Sequence, residues 1–229
     1  MHLLLFPFFY SLFLRSAGTV GGAGRVEKSR CGVSGDGCAP GAAIIIYNNG
    51  MRPALFLDRD GVIIENRDHY VRSWSDVEFL AGSLAALAAM RSHPYAIVIV
   101  TNQSAVGRGI ISLAEANTIN ARVVAEIEKS GGRVDGVFIC PHAPADACQC
   151  RKPMPGLLLQ AAQALDLDLA RSVMVGDAIS DLLAGQNAGI QRLFLVRTGR
   201  GAIQAALPET AQLGPFQICD ALTDVVACL

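Results

Sequence analysis

From Met51 onward, short apolar runs break off at polar residues, and stretches of helical periodicity lie between them. PALFLD ends at Asp58, AIVIVTN reaches Thr101 and Asn102, GVFIC ends at Cys140, SVMVGD ends at Asp177, and LFLV spans Leu193 to Val196. Each run is β-branched or aromatic and too continuous for a strand with one wet face. SLAALAAMR, SLAEANTINARVVAEIEK, GLLLQAAQAL and SDLLAGQNAG carry the helical pattern. The second opens with a Ser112-x-x-Glu115 capping box, and the third follows Pro155, a residue that favours helix starts.

Strand–helix alternation of this kind predicts an α/β fold, a Rossmann-like parallel sheet with helices on both faces. Ligands bind beyond the carboxyl ends of such strands. Asp58, Thr101 and Asp177 each stand where a strand runs out, so three polar side chains are expected to converge on one crevice. Any one of them reads equally well as a helix cap or turn former. Three at equivalent positions read as a site.

The rest of the composition narrows the class. The chain has 229 residues, 52% of them hydrophobic, enough for one sizeable core. Its net charge is −1, from 19 basic and 20 acidic residues with no basic stripe, which argues against a nucleic-acid partner. No apolar run reaches the length of a membrane span. The seven cysteines are an odd set with three crowded into Cys140–Cys150, a pattern of reduced thiols that points to the cytoplasm. Residues 1–50 differ. Leu3 to Leu14 is apolar but short, with only His2 ahead of it, and Gly18 to Gly41 is glycine-rich without periodicity. They read as a dispensable extension, with a secretory signal as the other reading. Residues 51–229 are then the functional domain.

Two clusters carry chemistry. DRDG sets Asp58 and Asp60 at i and i+2, on one side of an extended segment. One carboxylate can attack while the other moves a proton. Their repulsion calls for a cation, and with Asp177 as a third anion the all-oxygen set suits Mg²⁺, which also clamps phosphate oxygens. In CPHAPADACQC, Cys140, His142, Cys148 and Cys150 supply four ligands of the types Zn²⁺ prefers. A saturated Cys₃His set is structural; a loop of free thiols is the alternative. Zinc there would hold Arg151 and Lys152 over a bound phosphate.

FLDRDG, VTNQS, CRKP and VGDAISD, in that order, resemble the four motifs of the haloacid dehalogenase superfamily of phosphotransferases. The resemblance covers nearly all of the chain from Met51. It implies Asp58 as nucleophile, Asp60 as general acid and base, Thr101 as a phosphoryl contact and Lys152 as charge neutraliser. It implies Mg²⁺ on Asp58, the Asp60 carbonyl and Asp177, with Asp181 in support. TNQSAVGRG and the zinc loop are similar to those of the D-glycero-D-manno-heptose 1,7-bisphosphate 7-phosphatases and their relatives the histidinol-phosphate phosphatases. That likeness implies a phosphorylated sugar as partner, held by Arg59, Arg67, Asp68, His69, Tyr70, Asn102, Gln103, Ser104 and Arg151. Ala178 departs from the lysine that the heptose enzymes often carry after the metal-binding aspartate. With no large cap insertion, the cleft is expected to be open and the protein to work as a monomer. A zinc-stabilised module without activity is the reading from another class. Cys219 and Cys228 are expected in the core.

Overall fold

The structure, a computed structural model, describes residues 51–229. The extension at 1–50, and the stray strand that AIIIYNNG could form, lie outside the described residues.

Six strands form one wholly parallel sheet: β1 (Ala54–Leu57), β2 (Ala96–Asn102), β3 (Gly136–Cys140), β4 (Val173–Gly176), β5 (Arg192–Val196) and β6 (Gln217–Cys219), in the order β3-β2-β1-β4-β5-β6. The order reverses between β1 and β4, so the crevice of such a sheet opens there, at the carboxyl ends of the strands. The helices are α1 (Ser83–Ala89), α2 (Ser104–Gly107), α3 (Leu113–Lys129), α4 (Gly156–Leu165), α5 (Ile179–Asn187), α6 (Gly201–Gln204) and α7 (Leu222–Ala227).

Alternation along each strand builds two cores. Leu55, Leu57, Ile97, Ile99, Val173, Val175, Phe194 and Val196 face one side, against Leu87 of α1, Val123 and Ile127 of α3 and Val225 of α7. Phe56, Val98, Val100, Met174, Leu193 and Leu195 face the other, against Leu157 and Leu158 of α4 and Leu182 of α5. Each fully buried Leu, Ile or Phe contributes about 1.5–3 kcal/mol relative to exposure, which is why the runs are continuous. The capping box of α3 forms as expected: Glu115 N donates to Ser112 Oγ at 3.1 Å, and Ser112 N donates to Glu115 Oε2 at 2.7 Å.

Two expectations differ. β6 was not legible, because its three residues are exposed or half-buried and carry no apolar run. Cys219 lies at that edge, half-buried but packed against the core, whereas Cys228 is exposed and is not a core thiol. Among the described residues, no helix is long and apolar enough to cross a membrane.

Candidate active site

β1 ends at Leu57, and Asp58 continues its pairing with β4 by donating its N–H to Val175 O at 3.0 Å. The nucleophile candidate is thus fixed by the sheet itself and is 6% exposed. Its Oδ1 accepts from Arg59 N at 2.8 Å and lies 2.9 Å from Lys152 Nζ. The Lys152 ammonium also meets Asp181 Oδ1 at 2.7 Å and donates to Val100 O at 2.8 Å. Burial works to lower the Lys152 pKa, but Asp181 and Asp58 outweigh it and hold it above the ordinary lysine value. Burial pushes Asp58 the other way. Desolvation, helped by Asp181, Asp177 and Asp60 and opposed by Lys152, raises it to about 7.

Lys152 stands on a loop, yet its backbone is clamped. Asn102, the last residue of β2, donates from Nδ2 to Lys152 O and accepts from Lys152 N, both at 3.1 Å. Asn102 therefore holds the lysine as well as lining the cleft.

Asp177 follows β4 and is fully buried. Its Oδ2 accepts from Asn66 Nδ2 and from Arg200 N at 2.9 Å, and Arg200 Nη2 reaches Oδ1 at 3.0 Å. Gly61 (φ +84°) lies so close that a Cβ there would stand 2.2 Å from Asp177 Oδ2. Asp58, Asp177 and Asp181 each offer a carboxylate oxygen within 4.8 Å of the others. Three buried carboxylates at this spacing fit a hard divalent cation, which would relieve the repulsion that raises Asp58. Asp181 already spends both oxygens, on Lys152 and on the N–H of Ala178 at 3.1 Å, so it supports the cluster.

Asp60 faces the cleft with its carboxylate 24% exposed. Arg59 lies behind it, 1% exposed, with its guanidinium forked onto Asp60. Arg59 does not line the cleft, because residue i+1 of an extended segment points away from i and i+2. Thr101 is fully buried, and its Oγ1 accepts from Gln103 Nε2 at 2.8 Å.

The cleft itself measures about 640 Å³. Of the residues expected to touch a sugar, Arg67, Asp68, Tyr70, Asn102, Gln103, Ser104 and Arg151 line it, while His69 points elsewhere and is exposed. Arg67 is tied back to Glu78 at 3.0 Å. Tyr70 adopts φ 64°, a conformation rarely held by a non-glycine residue without a local reason. Sequence reasoning missed Arg200, Arg108 and Ser180, which also line the cleft. Arg200 lies four residues past the run LFLV, beyond the strand-end position that found Asp58 and Asp177, so no local signal marked it.

The loop after β3 is built on the sheet, since Cys140 is the strand's last residue and pairs in register with Asn102. Cys140 Sγ lies 3.6 Å from His142 Nδ1, 3.6 Å from Cys148 Sγ and 3.3 Å from Cys150 Sγ. Cys150 Sγ lies 3.3 Å from His142 Nδ1 and 3.4 Å from Cys148 Sγ. Bonds of ~2.3 Å to sulfur and ~2.0 Å to nitrogen imply tetrahedral edges of about 3.8 and 3.5 Å, so the four atoms fit one zinc ion with no open position. Burial pushes the Cys140 thiol up to about 12. Burial also opposes the Cys148 thiolate, yet hydrogen bonds from Cys150, Arg151 N–H and Cys140 outweigh it and bring Cys148 to about 7. Sulfurs this close ionise together only around a cation. The loop packs directly on α2, where a Cβ on Gly107 would stand 2.4 Å from Ala143 N. It aims Arg151 at Ser104, Nη1 donating to Oγ at 2.7 Å.

A parallel sheet that gathers an Asp-x-Asp pair, a buried lysine and a second strand-end aspartate at its switch point is the architecture of haloacid dehalogenase-like hydrolases, and the chain belongs to that family. The HAD-hydrolase-like family model matches residues 149–225. The chain is 41% identical over 182 residues to the D-glycero-beta-D-manno-heptose-1,7-bisphosphate 7-phosphatase of Vibrio cholerae, covering 76% of this chain and 94% of that protein. It is 40% identical over 158 residues to the enzyme of the same name from Bordetella bronchiseptica, covering 68% and 88%. The crystal structure of D,D-heptose 1,7-bisphosphate phosphatase from B. bronchiseptica, complexed with magnesium and phosphate, superposes with a TM-score of 0.72 at 37% identity, covering 77% of this chain and 97% of that one.

Proposed function

We propose that the chain is a phosphoric monoester hydrolase that removes the C7 phosphate from a D-glycero-D-manno-heptose 1,7-bisphosphate through an aspartyl-phosphate. The observation that carries this reading is the junction of Asp58, Lys152 and Asp181 beside Asp177, in a chain about 40% identical to enzymes of that name. Asp58, Asp177 and the Asp60 carbonyl would hold Mg²⁺, which supplies charge neutralisation on the phosphoryl oxygens.

Asp58 attacks phosphorus while Asp60 gives its proton to the departing C7 oxygen, so the P–O bond to the sugar breaks as the aspartyl bond forms. Lys152, held by Asp181, lies against the nucleophile and offsets negative charge there. Asp60 then takes a proton from water as that water attacks phosphorus, freeing phosphate and restoring Asp58. C7 is a primary position whose phosphate can reach down an open cleft, while the C1 phosphate lies near Arg151 at the rim, where a guanidinium can bind it bidentately. Cys140, His142, Cys148 and Cys150 would hold a structural zinc that keeps Arg151 and Lys152 in place. With no large cap insertion to close over it, the cleft is read as open and the protein as a monomer, with its thiols reduced in the cytoplasm.

Phosphorus NMR of the heptose bisphosphate with the full chain and Mg²⁺ tests this. The C7 resonance should disappear first and leave the C1 phosphate. Loss of the C1 phosphate first, or no turnover, counts against it.

A further inference from the structure

α3 buries a stripe of Ala116, Ile119, Val123 and Ile127, and Asn120 is the polar residue within it. Asn120 is 4% exposed, and its Nδ2 finds no hydrogen-bond partner among the described residues. Packing alone would favour an apolar residue in this stripe, so the asparagine is there for what its other end does. Its Oδ1 does have a use: it accepts from Arg59 Nη1 at 2.6 Å. Arg59 Nε and Nη2 in turn donate to the two oxygens of Asp60, each at 3.0 Å. Gln103 Nε2, 3.4 Å from Asp60 Oδ2, is a looser hold. A guanidinium is planar, so fixing Nη1 fixes the plane in which the other nitrogens meet the carboxylate. Without Asn120 the fork and the carboxylate could turn together.

We infer that Asn120 is a positioning residue for proton transfer: acting through Arg59, it sets the orientation in which Asp60 faces the cleft. This rests on the phosphatase reading. Asp60 gives a proton to the sugar oxygen in the first half-reaction and takes one from water in the second, and both transfers depend on the direction of its oxygens. The two halves can be separated by the leaving group. Nitrophenolate departs without a proton, whereas a sugar alkoxide needs one.

The test is Asn120→Leu in the full chain with Mg²⁺, assayed on p-nitrophenyl phosphate and on the heptose bisphosphate. On the aryl ester, kcat should fall about tenfold or more while kcat/KM stays within about twofold of wild type, and quenched samples should hold more phosphorylated Asp58. On the sugar phosphate, kcat/KM should fall as well. The melting temperature should fall, because the buried Arg59 Nη1 loses its acceptor, and the split between kcat and kcat/KM on the aryl ester separates the positioning role from that general loss. Arg59→Lys should give the same pattern, and the double variant should be no worse than the poorer single, since both act on one contact. Should Asn120→Leu not fold, Asn120→Ala takes its place. Unchanged kcat, an equal fall of kcat/KM on both substrates, or additive losses would overturn the inference. A wild-type protein that hydrolyses neither ester would instead overturn the phosphatase reading beneath it.

Discussion

Lys152 and Asp58 hold opposite charges against the same burial, and the balance between them sets how the site responds to pH. The folded pKa of Asp58 is raised from 3.8 to about 7. A carboxyl raised on folding costs nothing below its unfolded pKa, and the cost grows through pH 4–7 and is complete above that. Without a cation at the site, the ionised Asp58 therefore weakens the fold above that pH. Mg²⁺ should therefore raise the melting temperature more at pH 8 than at pH 6, because protons compete for Asp58 at the lower value; thermal melts at both pH values with and without Mg²⁺ check this. Asp58→Asn removes the penalty with the nucleophile. It should abolish turnover and, in chelator at pH 8, melt no lower than wild type. Lys152→Met leaves two carboxylates buried without their cation, so it should cost about 3–5 kcal/mol in urea unfolding at pH 8 and less as pH falls. The strand-end rule made Asp58 and Asp177 legible, and spacing made Asp60 legible. Arg59 fell among the sugar contacts only by resemblance. The alternation that sets Asp58 and Asp60 on one side turns it away, into the core. Arg200 and Asn66 were harder, because each meets Asp177 across more than twenty residues of chain.

The loop from Cys140 to Lys152 brings Pro144, Arg151 and Lys152 to the cleft. Its four metal-ligand types were readable from residue identity, and its anchoring was implied by GVFIC ending at a cysteine. Its docking on Gly107 was not, since a close backbone approach leaves no mark beyond the glycine itself. Cys148→Ser should lower zinc content from one per chain, measured by metal analysis of protein purified without added zinc, and should raise KM through a looser Arg151. A zinc-free protein of full activity and stability would remove the structural role assigned to the cluster. α3 and α4 were legible because they are periodic and clearly begun. β6 was not, because a three-residue edge strand is defined by its neighbour β5 and not by its own pattern.

At the scale of the molecule, strand–helix alternation was enough to anticipate the parallel sheet, and the sheet brings Asp58, Asn102 and Asp177 to one crevice, where Asn102 clamps the loop that carries Lys152. The rim is less legible, because arginines such as Arg108, Arg151 and Arg200 look like solvated surface until the loops converge. Every described strand and every proposed ligand lies beyond Met51, so a chain truncated to begin there should turn over substrate as the full chain does. The substrate is where Ala178 matters. It is buried, 5% exposed, at the start of α5, and offers no cation to the sugar. The remote phosphate must then supply the positioning energy, which favours a bisphosphate over a monophosphate. The most direct measurement is kcat/KM for the heptose 1,7-bisphosphate against histidinol phosphate, on the same preparation with saturating Mg²⁺. The bisphosphate should lead by at least about tenfold, roughly 1.4 kcal/mol of transition-state preference; a lead of that size for histidinol phosphate would contradict the assignment.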